Sequence, residues 1–91
     1  MKHTNHLNSI TVTDHALDYF MESWTHKARS YNTLHKISCK HEAERFYNEF
    51  WGMAEALRTL GIGYNVEYSD DLEYLTDLEI WCGKLELSAK L

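Results

Sequence analysis

The feature that most constrains the fold is a change in the spacing of apolar residues at Gly61. Over residues 41–60 they recur every three or four positions, which is the spacing of one face of an α-helix. These residues are Ala43, Phe46, Tyr47, Phe50, Ala54, Leu57 and Leu60. Gly61 follows at once, and glycine favours the left-handed conformation that ends many helices. Beyond it, apolar and polar residues alternate over 64–68, so the sequence predicts a helix that runs into a strand.

A second amphipathic helix is predicted earlier in the chain, over residues 14–30. Its apolar face consists of Leu17, Phe20, Met21, Trp24 and Ala28. Thr13 offers a hydroxyl oxygen that can cap the first turn. No glycine marks the other end, so the break between the two helices is placed only within 30–40. Ahead of this helix, β-branched residues alternate over 9–13 and predict a short strand.

Two interpretations fit the segment that follows the strand over 64–68. In the preferred one, residues 69–76 form a turn-rich connection with at most one helical turn, and 77–82 form a strand with alternating apolar residues. In the other, a third helix runs through both segments, because Leu72, Leu75 and Leu78 also have helical spacing.

Beyond Gly83 the apolar positions shift by one residue, so that Leu85 and Leu87 face the core. Either a one-residue glycine bulge or a tight turn explains this shift. The predicted order of elements is then β-α-α-β-β. The fold class is a two-layer α+β domain, in which two helices cover one face of a small antiparallel sheet.

Length and composition limit the chain to one globular domain. The 91 residues are 44% hydrophobic and 25% charged, as expected of a single folded unit over 1–91 in which the polar residues 1–8 are frayed. No apolar run reaches the roughly 18 residues of a membrane span, and the N-terminus lacks the apolar core of a signal peptide. We therefore expect a cytoplasmic protein in which Cys39 and Cys82 are free thiols.

Charge is divided unequally along the chain. Residues 1–41 carry five Lys or Arg and three Asp or Glu, together with all six histidines, whereas residues 42–91 carry four Lys or Arg and eleven Asp or Glu. An anionic half of this kind selects basic partners and opposes direct binding to nucleic acid or to anionic membranes. Three Trp and six Tyr also exceed what a small core needs. The combination favours a protein partner with a basic surface.

The C-terminal strands gather the acids into one candidate binding surface. Alternation predicts that the outward side chains of these strands point away from the helices, with the connecting loop beside them. The candidate partner-binding residues are Glu67, Asp70, Asp71, Glu73, Asp77, Glu79 and Trp81. A tryptophan among carboxylates on an uncovered sheet face is typical of a protein interface. The alternative is that Trp81 belongs to the core and that the acids only keep the protein in solution.

The sequence contains no catalytic or cofactor signature. A nucleophile-elbow motif and a phosphate-binding glycine loop are both missing, so we expect a protein that is not an enzyme and that uses no cofactor. The segment most similar to a metal site is His35-x3-Cys39-x-His41, which lacks a fourth ligand. A small metal-binding domain is one alternative function. A homodimeric structural protein that uses the acidic sheet face on itself is another.

Residues 46–80, FYNEFWGMAEALRTLGIGYNVEYSDDLEYLTDLEI, resemble small accessory proteins of phages and prophages. In those proteins a helix that ends in Leu-Gly-Ile runs into a tyrosine-rich acidic hairpin. The resemblance implies a protein that works by binding a host or phage protein. Anti-CRISPR proteins belong to this size and charge class, and several occupy nucleic-acid-binding surfaces. The function implied is inhibition of a host nuclease, such as a CRISPR nuclease, at its basic nucleic-acid-binding surface.

Overall fold

The chain folds into two helices followed by a three-stranded sheet. The computed structural model describes residues 12–91. Its elements are α1 (Asp14–Lys36), α2 (Lys40–Thr59), β1 (Gly63–Tyr68), β2 (Leu75–Cys82) and β3 (Leu85–Lys90). The strands pair antiparallel in the order β1-β2-β3, and the two helices pack on each other and on one face of the sheet. The predicted α+β class is confirmed.

The start of α1 is fixed by Thr13, as the sequence indicates. Its hydroxyl oxygen accepts a hydrogen bond from the Ala16 N–H at 3.0 Å. Of the strand predicted over 9–13, residues 9–11 lie outside the described part of the chain. Val12 and Thr13 belong to no strand, so the described sheet contains only strands that follow α2.

Gly61 ends α2 in the predicted way. It has a φ of 75°, and its N–H donates to the Arg58 carbonyl at 3.0 Å. The Ile62 N–H donates to the Leu57 carbonyl at 2.9 Å. This pair of bonds defines a Schellman motif, and it turns the buried side chain of Ile62 back onto the last turn of the helix.

The first helix ends with the same motif but without a glycine. Ser38 has a φ of 64°, its N–H donates to the His35 carbonyl at 3.1 Å, and the Cys39 N–H donates to the Leu34 carbonyl at 2.9 Å. The helix therefore runs to Lys36, beyond the predicted end at residue 30, and the break lies within the predicted interval 30–40. Since a serine in this conformation lacks the freedom of glycine, the sequence alone did not locate the end.

The core lies between the helices and the sheet. The largest side chains with almost no exposed surface come from both helices and the central strand β2, and they are Trp24, Phe50, Leu57, Leu75, Leu78 and Ile80. In β2 the buried residues Leu78 and Ile80 alternate with the exposed residues Glu79 and Trp81. This alternation leaves the other face of the sheet open to solvent.

The two hairpin connections decide between the alternatives that the sequence left open. Residues 69–74 contain turns and bends but no helical turn, and β2 begins at Leu75, so the alternative of a third helix is wrong. At the second connection, Cys82 lies opposite Leu85 and a two-residue turn joins them. Gly83 has a φ of 61°, as the first residue of such a turn requires. The shift in apolar spacing is therefore a tight turn and not a bulge.

Candidate interaction surface

The sheet face that points away from the helices, here called the outer face, carries most of the predicted binding residues. It consists of Gly63, Asn65 and Glu67 from β1, Asp77, Glu79 and Trp81 from β2, and Glu86, Ser88 and Lys90 from β3. The strand register arranges these residues in three rows across the sheet. The rows place four carboxylates and one lysine on a surface only three strands wide.

On the outer face four carboxylates accompany a single lysine, Lys90, which lies opposite Asp77. Glu67 is directly opposite Asp77, and Glu79 is the next outward residue along β2. Directly opposed residues in adjacent strands have Cβ atoms about 4.5–5.5 Å apart, so two negative charges in these positions repel. Within residues 12–91 the ion pairs all lie on the helices, where they join Lys27 and Arg45 to Glu49 and Arg58 to Glu55. The outer face therefore keeps its negative charge.

Trp81 lies on the outer face at the end of the sheet away from the 69–74 loop. Its side chain is 44% exposed. The indole covers the backbone of Gly63, its partner on β1, so closely that a Cβ at position 63 would overlap the ring. On its other side Trp81 is opposite Glu86 of β3. The indole thus packs flat across a glycine and presents its second surface to solvent between acidic residues.

The loop over 69–74, here called the acidic loop, is held in one shape by its own polar groups. The Ser69 N–H donates to the Tyr74 carbonyl at 2.8 Å, and the Tyr74 N–H donates to the Ser69 hydroxyl at 3.1 Å. That hydroxyl donates to Asp71 Oδ1 at 2.6 Å, and the Glu73 N–H donates to the same oxygen at 3.2 Å. The Ser69 hydroxyl, with a smaller effect from the Glu73 N–H, lowers the pKa of the Asp71 carboxyl below its ordinary value.

At the tip of the acidic loop the structure exposes an apolar side chain. Leu72 is 72% exposed and has a φ of 61°, a conformation that is uncommon for a bulky residue. Its N–H donates to the Ser69 carbonyl at 2.8 Å, which closes the turn. The loop therefore presents a leucine between Asp71 and Glu73.

The acidic loop is tied to the C-terminal half of α1. The Tyr31 hydroxyl donates to the Glu73 carbonyl at 2.9 Å. The Asn32 amide nitrogen donates to the Leu75 carbonyl at 2.8 Å, and its amide oxygen accepts from the Leu75 N–H at 3.0 Å. The Asn32 side chain thus makes to Leu75 the two backbone hydrogen bonds that a neighbouring strand would make. These bonds fix the residue at which the loop ends and β2 begins.

The structure divides the predicted binding residues into two groups. Glu67, Asp77, Glu79 and Trp81 share the outer face, as the alternation of the strands predicted. The other three, Asp70, Asp71 and Glu73, lie in the acidic loop at one end of the sheet. Six residues of β2 separate the loop end from Trp81, which is about 20 Å along a strand. The two groups therefore lie at the sheet and at one end of it, and each contains an exposed apolar side chain, Trp81 on the outer face and Leu72 in the acidic loop.

The surplus aromatic residues gather where the helices meet the acidic loop. The Tyr31 ring lies 4.8 Å from the ring of Tyr47 and 5.5 Å from that of His35, which in turn lies 5.3 Å from Tyr74. The Tyr47 and Tyr68 hydroxyl oxygens are 2.6 Å apart. Burial, together with this hydrogen bond, raises the pKa of Tyr68. Most of the tyrosines thus have a structural role, and Trp81 is the aromatic residue that faces solvent beside the acids.

His35, Cys39 and His41, the ligands of the alternative metal-binding function, do not form a site in the described part of the chain. Within residues 12–91 no group of three or more His, Cys, Asp or Glu side chains is arranged to hold a metal ion. His35 lies between the rings of Tyr31 and Tyr74, and Cys39 is the residue that precedes the first turn of α2. The close sequence spacing of His35, Cys39 and His41 reflects their shared location at the connection between the helices.

Comparison with known proteins gives no match from which a function could be inferred. No protein-family model matches the chain, and no curated protein and no solved structure matches it. None of the helices in residues 12–91 has the length and apolarity to cross a membrane. The physical properties of the outer face and the acidic loop are therefore the basis for assigning a function.

Proposed function

We propose that the protein is a non-enzymatic interaction module whose outer face binds a basic surface on a protein partner and blocks the binding of nucleic acid there. A host nuclease is the partner class proposed. The observation that carries this proposal is the excess of carboxylates on the outer face: four of them share it with the half-exposed Trp81 and a single lysine, and none is in an ion pair within residues 12–91. The acidic loop extends the same charge beyond the end of the sheet.

The arrangement of the acids supports a partner with several positive charges. Glu67 and Asp77 repel each other across the strands, which costs the isolated protein stability. A basic surface placed over them would turn that repulsion into attraction. Along β2, Asp77 and Glu79 are about 6.6–6.8 Å apart, similar in scale to successive phosphates of a nucleic-acid strand. A surface that binds phosphates therefore fits the spacing of these carboxylates.

Trp81 supplies the apolar part of the proposed interface. A half-exposed indole buries a large area when a partner covers it, and tryptophan is among the residues that carry most binding energy at interfaces. The ring is already held against Gly63, so little conformational freedom is lost on binding. The surrounding carboxylates then steer the encounter and make its rate sensitive to salt.

Among the alternatives, the outer face is poorly suited to bind a second copy of itself. Face-to-face contact between two copies would bring carboxylates against carboxylates, with Lys90 as the only lysine on each described face. A metal-binding function has no arranged ligand group among residues 12–91 to support it. Elemental analysis of the purified full chain would support the metal function if it found stoichiometric zinc or copper.

Capture from host-cell lysate with matched variants tests the proposal. We expect the full chain to retain a nucleic-acid-binding protein, and Trp81→Ala to weaken that complex by about 2–4 kcal/mol. Asp77→Lys with Glu79→Lys should mainly slow association and flatten its salt dependence. A control with the same charge change on α2, Glu42→Lys with Glu44→Lys, should bind almost as the wild type does.

Two results would contradict the proposal. One is a captured partner whose binding is unaffected by the Trp81 and Asp77/Glu79 variants but is lost in the α2 control. The other is a complex in which the partner still binds nucleic acid with unchanged affinity. Either result would move the interface away from the outer face or remove the inhibitory role.

A further inference from the structure

Strand β3 forms an edge of the sheet whose hydrogen-bonding groups point away from the molecule. In a two-residue hairpin the residues that flank the turn, here Cys82 and Leu85, hydrogen-bond to each other. The N–H and C=O groups of Leu87 and Ala89 then also point toward β2. Those of the residues between them, Glu86 and Ser88, point toward the open edge.

Two contacts at the end of β3 confirm this assignment. The Leu91 N–H donates to the Thr76 carbonyl at 2.8 Å, so odd-numbered residues of this segment face β2. The Lys90 carbonyl accepts a hydrogen bond from Arg29 of α1 at 3.1 Å, so even-numbered residues face away from β2. Within residues 12–91 this bond to Arg29 is the only one made to an outward-pointing backbone group of β3. An unpaired edge of this length is able to pair with another strand.

The two edges of the sheet differ in regularity. The pairing of β1 with β2 is shifted between Glu67 and Tyr68, where Thr76 of β2 is the extra residue and interrupts the regular ladder. The pairing of β3 with β2 is continuous from Leu85 to Lys90. The straight edge is therefore β3, and it lies on the side of the sheet opposite to β1.

The charges on β3 are complementary to themselves when two copies run antiparallel. Centring the pair on Ser88 puts Glu86 of each copy opposite Lys90 of the other. The outward N–H and C=O groups of residues 86, 88 and 90 then meet their counterparts, and the Lys90 carbonyl accepts from the Glu86 N–H of the second copy in addition to Arg29. With the two-fold axis at Leu87, Lys84 of each copy would face Lys90 of the other. With the axis at Glu86, the two copies of Glu86 would face each other. Opposite charges favour a cross-strand pair and like charges oppose it, so the Ser88 register is favoured over these two.

We propose that β3 pairs antiparallel with β3 of a second copy, about a two-fold axis at Ser88, and joins two sheets into one of six strands. On the helix side, this register brings Leu87 beside Ala89 of the second copy, and both residues are only half-buried in one chain. Their mutual burial adds an apolar contribution to the backbone hydrogen bonds. The joined sheet extends the outer face without covering Trp81, so the pairing and the proposed function are independent.

Charge reversal tests both the dimer and its register. Sedimentation of the full chain over a wide concentration range should show a species of twice the 10.7 kDa chain mass. Glu86→Lys alone and Lys90→Glu alone should each weaken dimerisation by roughly tenfold, because each creates two like-charge pairs between the copies. Lys90→Glu also opposes Asp77 within its own chain, so an unfolding curve of each variant separates loss of folding from loss of the dimer. The double variant exchanges the charges and should restore dimerisation to nearly the wild-type level.

A proline at the two-fold axis tests the backbone bonds separately. Ser88→Pro removes an N–H that points away from β2, so the chain should fold and yet remain monomeric. Ser88→Ala keeps the N–H and should dimerise as the wild type does. A chain that is monomeric at every concentration overturns the proposal, since the edge is then unused or is covered by another part of the same chain. A dimer that survives Ser88→Pro, or that the double charge variant fails to restore, overturns the β3 register.

Discussion

Two tryptophans on opposite faces of the same sheet have very different surroundings. Trp24 has no exposed surface, stacks on Phe50 at 4.9 Å with the rings 6° from parallel, and meets Tyr64 edge-on at 5.9 Å. Its indole N–H donates to the Phe50 carbonyl at 3.0 Å. Trp81 is 44% exposed and lies against the backbone of Gly63. The comparison shows that the role of a tryptophan follows from what surrounds it and not from its chemistry alone.

The difference between the faces arises from the alternation of strand residues. In β2 the side chains of Leu78 and Ile80 meet the helices, and those of Asp77, Glu79 and Trp81 point the other way. On the helix side, burial of large apolar groups stabilises the fold. On the outer face, opposed carboxylates contribute charge at some cost in stability. One face therefore supports folding, and the other is available for a partner.

Truncation of Trp24 should have the largest effect on stability. Trp24→Ala removes a buried ring, its stacking contact with Phe50 and its hydrogen bond to the Phe50 carbonyl, and we expect a loss of about 3–5 kcal/mol in the free energy of unfolding. A domain of this size has about 5–14 kcal/mol in total, so the variant should be close to unfolding. Urea unfolding followed by circular dichroism measures the loss. A loss below about 1 kcal/mol would show that the face between sheet and helices is not a packed core.

The same substitution on the outer face should have a much smaller effect. Trp81→Ala exposes Gly63 but opens no cavity, and we expect the free energy of unfolding to stay within about 1 kcal/mol of the wild type. The measurement is the same unfolding experiment, with Trp24→Ala as the reference for a buried ring. If the two variants lost similar stability, Trp81 would be a structural residue and its role as a binding anchor would be excluded.

Relief of charge repulsion should produce the smallest change, and in the opposite direction. Glu67→Lys replaces the like-charge pair with Asp77 by an opposite-charge pair, which should raise the free energy of unfolding by about 0.5 kcal/mol. Glu44→Lys makes the same charge change on α2, away from the sheet, and is the control. The gain should disappear at high salt, where charges are screened. A gain that persists there would have a cause other than the proximity of the two carboxylates.

The two helix ends show why one boundary was predictable and the other was not. Both ends use the same pair of backbone hydrogen bonds, but Gly61 ends α2 and Ser38 ends α1. A glycine after an apolar stripe indicates a left-handed residue by itself. A serine takes that conformation only when the surrounding structure stabilises it, and the bonds from Asn32 and Tyr31 to residues 73–75 hold the last turns of α1 in place. The sequence therefore placed the end of α1 only within the interval 30–40.

The candidate surface was predictable to a similar, partial extent. Alternation along the strands placed Glu67, Asp77, Glu79 and Trp81 on one face, because side chains of a strand point to alternate sides. It did not join Glu86 to this surface, since that residue becomes a neighbour of Trp81 only through the register of β3. Leu72 was also missed, because its exposure results from a loop conformation that the hydrogen bonds of Ser69 and Asp71 maintain.

The sequence by itself determined the two helices, the strand after Gly61, the shift of apolar spacing at Gly83 and the unequal division of charge. These properties depend on neighbouring residues, through helical spacing, strand alternation and the conformational freedom of glycine. The tertiary structure decided the left-handed Ser38, the pairing of Trp81 with Gly63 and the straight outer edge of β3. Those depend on groups that are far apart in the chain, so no local pattern records them, and only the packed sheet brings them together.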